Sequence, residues 1–287
     1  MISKKKALNL NLKNLSPEFV VKRFITLVIV LRIVCGLIHC FFPITMPHQW
    51  RQVDTMSVAL RYFLRWSGES EFQVPWWATA VLNSQGTSGV MPMEFPFLNW
   101  VGAVGFWLAD TDLDRGRIYA SLLVFLINLI LLRLAFREWR RCLGGFHKSY
   151  IPWAIVAGYF LSFSTPYSSK FMPDPMAMLL ATWGTAAIGR LKWWGILPFA
   201  LGLAMKPTVG VVCLLLILTP LSLARLRYMA VSIVAAIAPG AWWYKIMVPK
   251  IKLLQMQDDL FVIPTNFNPM TSLLEFWFAL LSQALFY

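Results

Sequence analysis

The sequence predicts an all-α fold, a polytopic bundle of transmembrane helices with a long first extracytoplasmic loop that carries surface helices. Three observations predict it. Of the 287 residues, 58% are hydrophobic and only 14% are charged, whereas a soluble domain of this length carries about 25% charged residues. The mean hydropathy is +0.62, so lipid is the natural solvent for most of the chain. In lipid every backbone polar group must be satisfied internally, by helices or by a closed barrel. The apolar runs are long and unbroken rather than alternating, which selects helices.

The net charge of +13 arises from 26 basic and 13 acidic residues. Most Lys and Arg flank apolar runs, which points to anionic lipid headgroups and phosphates as partners rather than to nucleic acid. Cys35, Cys40, Cys142 and Cys213 lie in or beside apolar runs without CxxC or metal-type spacing, and read as small packing residues. The first 23 residues are polar and basic, and the first apolar run lacks a small-residue cleavage site, so no cleavable signal peptide is expected.

Each element follows from where the basic residues fall. Residues 1–23 hold Lys4, Lys5, Lys6, Lys13, Lys22 and Arg23 and form a cytoplasmic tail by the positive-inside rule. A first span, 24–42, leads outward to an external segment, 43–115, rich in aromatics and prolines. Within it, 95–109 is apolar but only about 15 residues long. A crossing takes about 20, so this stretch is expected to lie at the outer surface. The run 118–136 ends in Arg133, Arg137, Arg140, Arg141 and Lys148, which makes it the second span, running inward. A third span, 150–166, leads outward to an external loop, 167–173. A fourth, 176–188, returns to Arg190 and Lys192. The stretch from Trp193 to Ala224 has basic residues beyond both ends and therefore crosses an even number of times, as a hairpin with Lys206–Pro207 at its tip. A further span, 229–248, precedes an external loop holding Lys250, Lys252, Asp258 and Asp259, and the last run, 271–287, reads as an incomplete span. The expected organisation is a tail (1–23), a transmembrane catalytic domain (24–248), and an external loop with the final span (249–287).

This topology sorts the charges. Asp54, Glu94 and Asp174, with Arg51 and Lys206, fall on the outer side. A carboxylate there has apolar neighbours that raise its pKa and cations that lower it, the setting in which a general base or a metal ligand is made. The segment His48–Thr55 is either a carboxylate, Asp54, held near the membrane beside Arg51, or an interfacial belt in which Trp50 anchors and Arg51 pairs with Asp54 among the headgroups. Glu94 is either a second acid at the start of the surface helix or a charge complementing that helix's dipole. Asp174, in Phe171–Pro175, is either a functional acid or an ordinary helix cap followed by proline. Lys206 interrupts an apolar run, which is costly unless it reaches water or binds an anion; phosphate binding and snorkelling both meet that condition. Asp110, Asp112 and Asp114 alternate as in a calcium loop but lack its glycine and later glutamate, which predicts a solvated turn. Arg32 and His39, inside the first span, receive no catalytic role.

Together, a short basic N-terminus, one span, then WRQVDT at 50–55, MEFP at 93–96, FMPDP at 171–175 and MKPT at 205–208 resemble the GT-C membrane glycosyltransferases. The match is closest to the branch related to protein O-mannosyltransferases and to the bacterial aminoarabinose transferase of lipid A. It covers about residues 22–245 and rests on the order and spacing of the four motifs. The resemblance implies a multi-pass protein of a bacterial plasma membrane. Such a protein moves a hexose or pentose from a polyprenyl-phosphate donor to a hydroxyl of a glycan, lipid or protein at the outer face, with inversion. It implies Asp54 as the general base. Glu94 and Asp174 become further acids that orient the acceptor or hold a divalent cation, the one cofactor implied. Lys206 and Arg51 become the cations at the lipid phosphate, with Trp50 and Gln52 as substrate contacts. Family members extend further, often with an external C-terminal domain, so this chain is expected to represent the catalytic half. The rival class is a transporter or scaffold for lipid-linked sugars. A transporter would show paired broken helices or repeats at the bilayer midplane, and the notable charges here sit at one surface instead.

Overall fold

A computed structural model describes residues 17–41, 49–68, 80–82, 88–90, 95–109, 112–143, 152–156, 172–219 and 222–250. The described residues are mostly helical. In chain order they form α1 (Pro17–Phe41), α2 (Gln49–Trp66), strands β1 (Ala80–Leu82) and β2 (Ser88–Val90), α3 (Phe97–Leu108), α4 (Leu113–Cys142) and α5 (Pro173–Gly189). A 3-10 turn (Trp193–Gly195) then runs into α6 (Ile196–Met205), followed by a 3-10 helix (Pro207–Leu218) and α7 (Leu223–Trp242), which continues through a π turn (Trp243–Met247). Among the described residues, the antiparallel ribbon, with Ala80 opposite Val90 and Leu82 opposite Ser88, is the one departure from helical structure. Two helices, Leu113–Cys142 and Leu223–Lys250, are long and apolar enough to cross a membrane; Thr26–Phe41, Phe97–Leu108, Trp193–Met205 and Pro207–Leu218 are apolar but shorter. Most of the expected third span and all of the final run, 271–287, lie outside the described residues.

Contacts set the direction of each helix. α3 and α4 form a tight hairpin in which Gly105 lies against the backbone of Ala120 and Gly116 against the ring of Phe106. Asp112 caps α4 by accepting from the Arg115 N–H at 3.0 Å, so that this aspartate serves the turn. α4 and α5 run the same way. Near the end of α4, Trp139 Nε1 donates to the Thr182 carbonyl at 3.0 Å, and Glu138 pairs with Arg190 just past the end of α5. α1 runs against α4, with Gly36 facing the Phe125 ring.

α5 and α6 are antiparallel and close. Gly184 faces Phe199 and Gly195, while Gly202 faces Ala177 and Ala181. Small residues let the backbones approach, which in lipid replaces the hydrophobic effect as the source of helix association. The turn between them is a Schellman motif. Leu191 N–H donates to Ile188 and Lys192 N–H to Ala187, with Leu191 at φ 57°, a position where glycine is usual.

The chain reverses at Lys206–Pro207, as expected from the basic residues on both flanks. From there Gly210 touches Leu203, and Leu216 and Thr219 reach Gly189 at the end of α5. The 12-residue return arm therefore runs alongside the 17-residue α5. A 3-10 helix rises about 2.0 Å per residue and an α-helix about 1.5 Å, so the two arms measure about 24 and 25 Å. An α-helical arm of the same 12 residues would measure about 18 Å and fall about 7 Å short of α5. α7 then runs parallel to α6, with Gly240 over Ala204. The core between these helices holds Leu131, Met176, Leu179, Phe199, Leu203 and Met205, while Val231, Val234 and Ile237 of α7 face outward.

Candidate functional site

The sequence builds one polar meeting point at the end of the bundle where α5 begins and α6 ends. Pro173 and Pro175 pre-set the first turn of α5, where a missing N–H costs nothing. Asp174 lies in that turn, at the positive end of the helix dipole. Lys206 is at once the last cap of α6 and the first cap of the 3-10 helix, with extended φ −151° and ψ 100°. Pro207 explains this, because the residue before a proline is pushed out of the α region. Placed at that break, Lys206 reaches Asp174, Nζ to Oδ1 3.3 Å, with side chains 22% and 47% exposed. An acid and a base 32 positions apart in the chain thus meet at the edge of the apolar core.

Other elements close on the same point. The Phe95 N–H donates to the Ala204 carbonyl at 3.4 Å, two residues before Lys206. The Phe95 ring meets Trp100 and Trp243 edge-on at 5.3 and 5.2 Å. Tyr244 donates its hydroxyl to the Met205 carbonyl at 3.4 Å. From the start of α3, Asn99 Nδ2 donates to the Thr55 carbonyl at 2.7 Å, and Phe63 stacks on Phe106 further along, so α2 and α3 run in the same sense. Gln52 and Thr55 in the first turns of α2 are buried. Later in α2, burial pushes the Tyr62 hydroxyl up to about 12, opposed in part by Trp100 and then Arg65.

Of the residues expected to make the site, Asp174 and Lys206 are brought together, and Gln52 is buried at the start of α2. Glu94 lies outside the described residues, as do the side chains of Trp50, Arg51 and Asp54, whose backbone belongs to the first turns of α2. Glu94 and Asp174 as a metal pair are therefore untouched by the finding that, among the described residues, no group of three His, Cys, Asp or Glu side chains converges. The sequence reading overlooked Phe95, Asn99 and Tyr244. Each leaves a faint trace: Asn99 is a lone amide in an apolar run, and Tyr244 ends the Trp242–Trp243 pair.

The opposite end is different. Arg190 follows Asp174 by 16 positions of continuous helix and its cap, about 24 Å at 1.5 Å per residue. There α4, the α5–α6 turn and the start of α7 carry Arg140, Arg141, Arg190, Lys192, Arg225 and Arg227. Glu138, 4% exposed, accepts from Arg141 Nη1 at 3.0 Å and from Arg190 Nη1. Glu138 was not singled out in the sequence, although it is the one acid in the stretch Arg133–Lys148.

Chemically, Lys206 offers a cation at the joint where two helices begin, α5 and the 3-10 helix, whose dipoles point their positive ends there. Asp174 holds that cation extended and supplies an acceptor. The arrangement suits an anionic group lying between an apolar core and solvent. No protein-family model, curated protein or solved structure matches this chain.

Proposed function

We propose that the chain is a multi-pass membrane glycosyltransferase of the GT-C kind, taking a sugar from a polyprenyl-phosphate donor at the extracytoplasmic face. The observation that carries the reading is the Asp174–Lys206 pair at 3.3 Å, at the end of the bundle remote from the arginine cluster. By the positive-inside rule the arginine end faces the cytoplasm, which turns the pair outward. The same pairing joins the third and fourth of the four sequence motifs, and the Phe95 link to Ala204 ties the second to the residue just before the fourth.

In this mechanism an acceptor hydroxyl attacks the anomeric carbon, its proton passes to Asp54, and polyprenyl phosphate leaves with inversion. The phosphate gains charge as it leaves, so a preplaced cation lowers the barrier; Lys206 fills that role, with Arg51 as its helper. Asp174 keeps Lys206 in position until the donor arrives. Glu94 orients the acceptor or, with Asp174, holds a divalent cation. The aromatic residues around Phe95 cover the prenyl chain.

The test uses purified chain in lipid nanodiscs with supplied polyprenyl-phosphate sugars. Asp54→Asn is expected to lower turnover at least 100-fold, the scale of a lost general base, while donor binding persists. Lys206→Met is expected to weaken donor binding as well. Near-normal transfer by Asp54→Asn removes Asp54 from the mechanism, full transfer by both variants moves the active site elsewhere, and no transfer by the wild-type chain from any supplied donor overturns the enzyme reading in favour of a carrier or scaffold. Mass analysis of glycolipids and glycans from cells with and without the gene identifies the sugar and the acceptor.

A further inference from the structure

We infer that the outward face of α4 binds the headgroup of an acidic phospholipid through Arg133, Arg137 and Arg140. The inference is independent of sugar transfer and needs only that α4 crosses a membrane, for which it is long and apolar enough. The inward face holds Leu131, Leu132, Ala135, Glu138 and Trp139, all buried. Trp139 is tied to Thr182 and Glu138 to Arg190, so α4 cannot roll. Residues three or four positions apart share a helix face. Leu126 and Ile130, 48% and 58% exposed, therefore continue in line into Arg133, Arg137 and Arg140, which are exposed as well. The face changes from apolar to cationic within one turn. Glu138, the one acid in this half of α4, faces α5 and occupies Arg141, so it neutralises none of the three. Arg140 is steadied over the Phe136 ring at 5.8 Å. Depth is the second observation. Gly189, the last residue of α5, lies against the Cys142 sulfur, so α4 and α5 end level. Arg133 and Arg137 precede Cys142 by 9 and 5 positions, about 14 and 8 Å of helix. They stand beside the bundle, not in the water beyond it. An exposed arginine at that depth is costly unless its guanidinium reaches the headgroups, and a guanidinium grips phosphate with two hydrogen bonds. Cations that give way to an apolar track match a phosphate and its acyl chain, with the chain along Ile130 and Leu126. An acidic peptide would leave that track uncovered.

The probes are phosphatidylglycerol and phosphatidylcholine with a diazirine on the same acyl chain, doped separately into phosphatidylcholine nanodiscs that hold the purified full chain. Photolabelling is mapped by peptide mass analysis in about 1 M salt, where charges more than about 3 Å apart in water are screened from one another. The phosphatidylglycerol probe is expected to label residues 126–142 about tenfold more than the phosphatidylcholine probe, since each basic residue near an acidic headgroup contributes about fivefold. Arg133→Gln combined with Arg137→Gln is expected to erase that preference. Lys192→Gln combined with Arg227→Gln removes the same charge from exposed residues of the α5–α6 turn and the start of α7, and is expected to leave it. Equal labelling by the two probes in the unaltered chain overturns the inference. So does an equal loss in both double variants, which assigns the preference to diffuse positive charge. Absence of α4 labelling by either probe means that protein covers the face, and loss of the preference in millimolar inorganic phosphate assigns the arginines to a free anion; either result also overturns the inference. The two probes in the unaltered chain decide the case should a double variant fold poorly.

Discussion

The two ends of the helical bundle hold the same kinds of charge in opposite conditions. At the arginine end, Glu138 is buried and gripped by two guanidinium groups, Arg141 and Arg190. At the other end, Asp174 and Lys206 meet at 3.3 Å with the carboxylate almost half exposed. Burial is the variable that separates them. A charge removed from water must be paired and hydrogen-bonded, and deleting one partner leaves the other stranded. An exposed pair gains little, since water competes for both ions. The first arrangement suits a clamp that locks α4 to α5. The second suits a pair that can part when a ligand arrives.

The largest expected effect is at the clamp. Glu138→Ala should destabilise the folded chain by about 3 kcal/mol, the low end for a broken buried pair, because Arg190 loses its counter-ion while Arg141, 48% exposed, is left to water; thermal unfolding in detergent measures it. A loss below about 1 kcal/mol would place Glu138 in water and dissolve the contrast between the ends. Next comes the spacing of α5 and α6. A Cβ at Gly202 would stand 2.7 Å from the Ala177 carbonyl oxygen and 2.9 Å from the Ala181 nitrogen, both backbone atoms that cannot swing aside. Gly202→Val should cost about 1–3 kcal/mol, the scale of overpacking, and should separate Lys206 from Asp174. Donor binding should fall with stability. Gly210→Ala is the matched control, since its Cβ meets only the flexible end of Leu203 at 3.1 Å. The smallest effect sharpens the contrast most: Asp174→Asn should change stability by less than about 1 kcal/mol while sugar transfer falls. A melting shift as large as that of Glu138→Ala would show the Asp174–Lys206 pair to be a second clamp.

Much of this was legible in the chain. The basic flanks of the apolar runs gave the direction of α4 and α5, and the structure places Arg141 and Arg190 together as that direction requires. The reversal at Lys206–Pro207 was legible for a local reason, because a proline dictates the conformation of the residue before it. The meeting of Asp174 with Lys206 followed once both fell at the same end. What could not be read was the helix type. Nothing in Pro207–Leu218 distinguishes a 3-10 arm from an α-helix by pattern; the length of α5 alongside it decides. The π turn is hidden for the same reason, since its benefit lies in Phe95 and Met205, far off in sequence. Glu138 was overlooked because an acid in a basic stretch reads as a solvated charge until α5 is seen to cover it.

The sequence by itself determined that the chain is helical and apolar, where the chain turns at Lys206–Pro207, and at which helix ends its cations gather. These depend on local chemistry: hydropathy, proline, and the flanks of each run. Only the tertiary structure decided which charges are buried and which are half open, how closely α5 and α6 approach, and which aromatic rings stand beside Lys206. Those properties belong to surfaces in contact, and each surface is assembled from segments that no local pattern relates to one another.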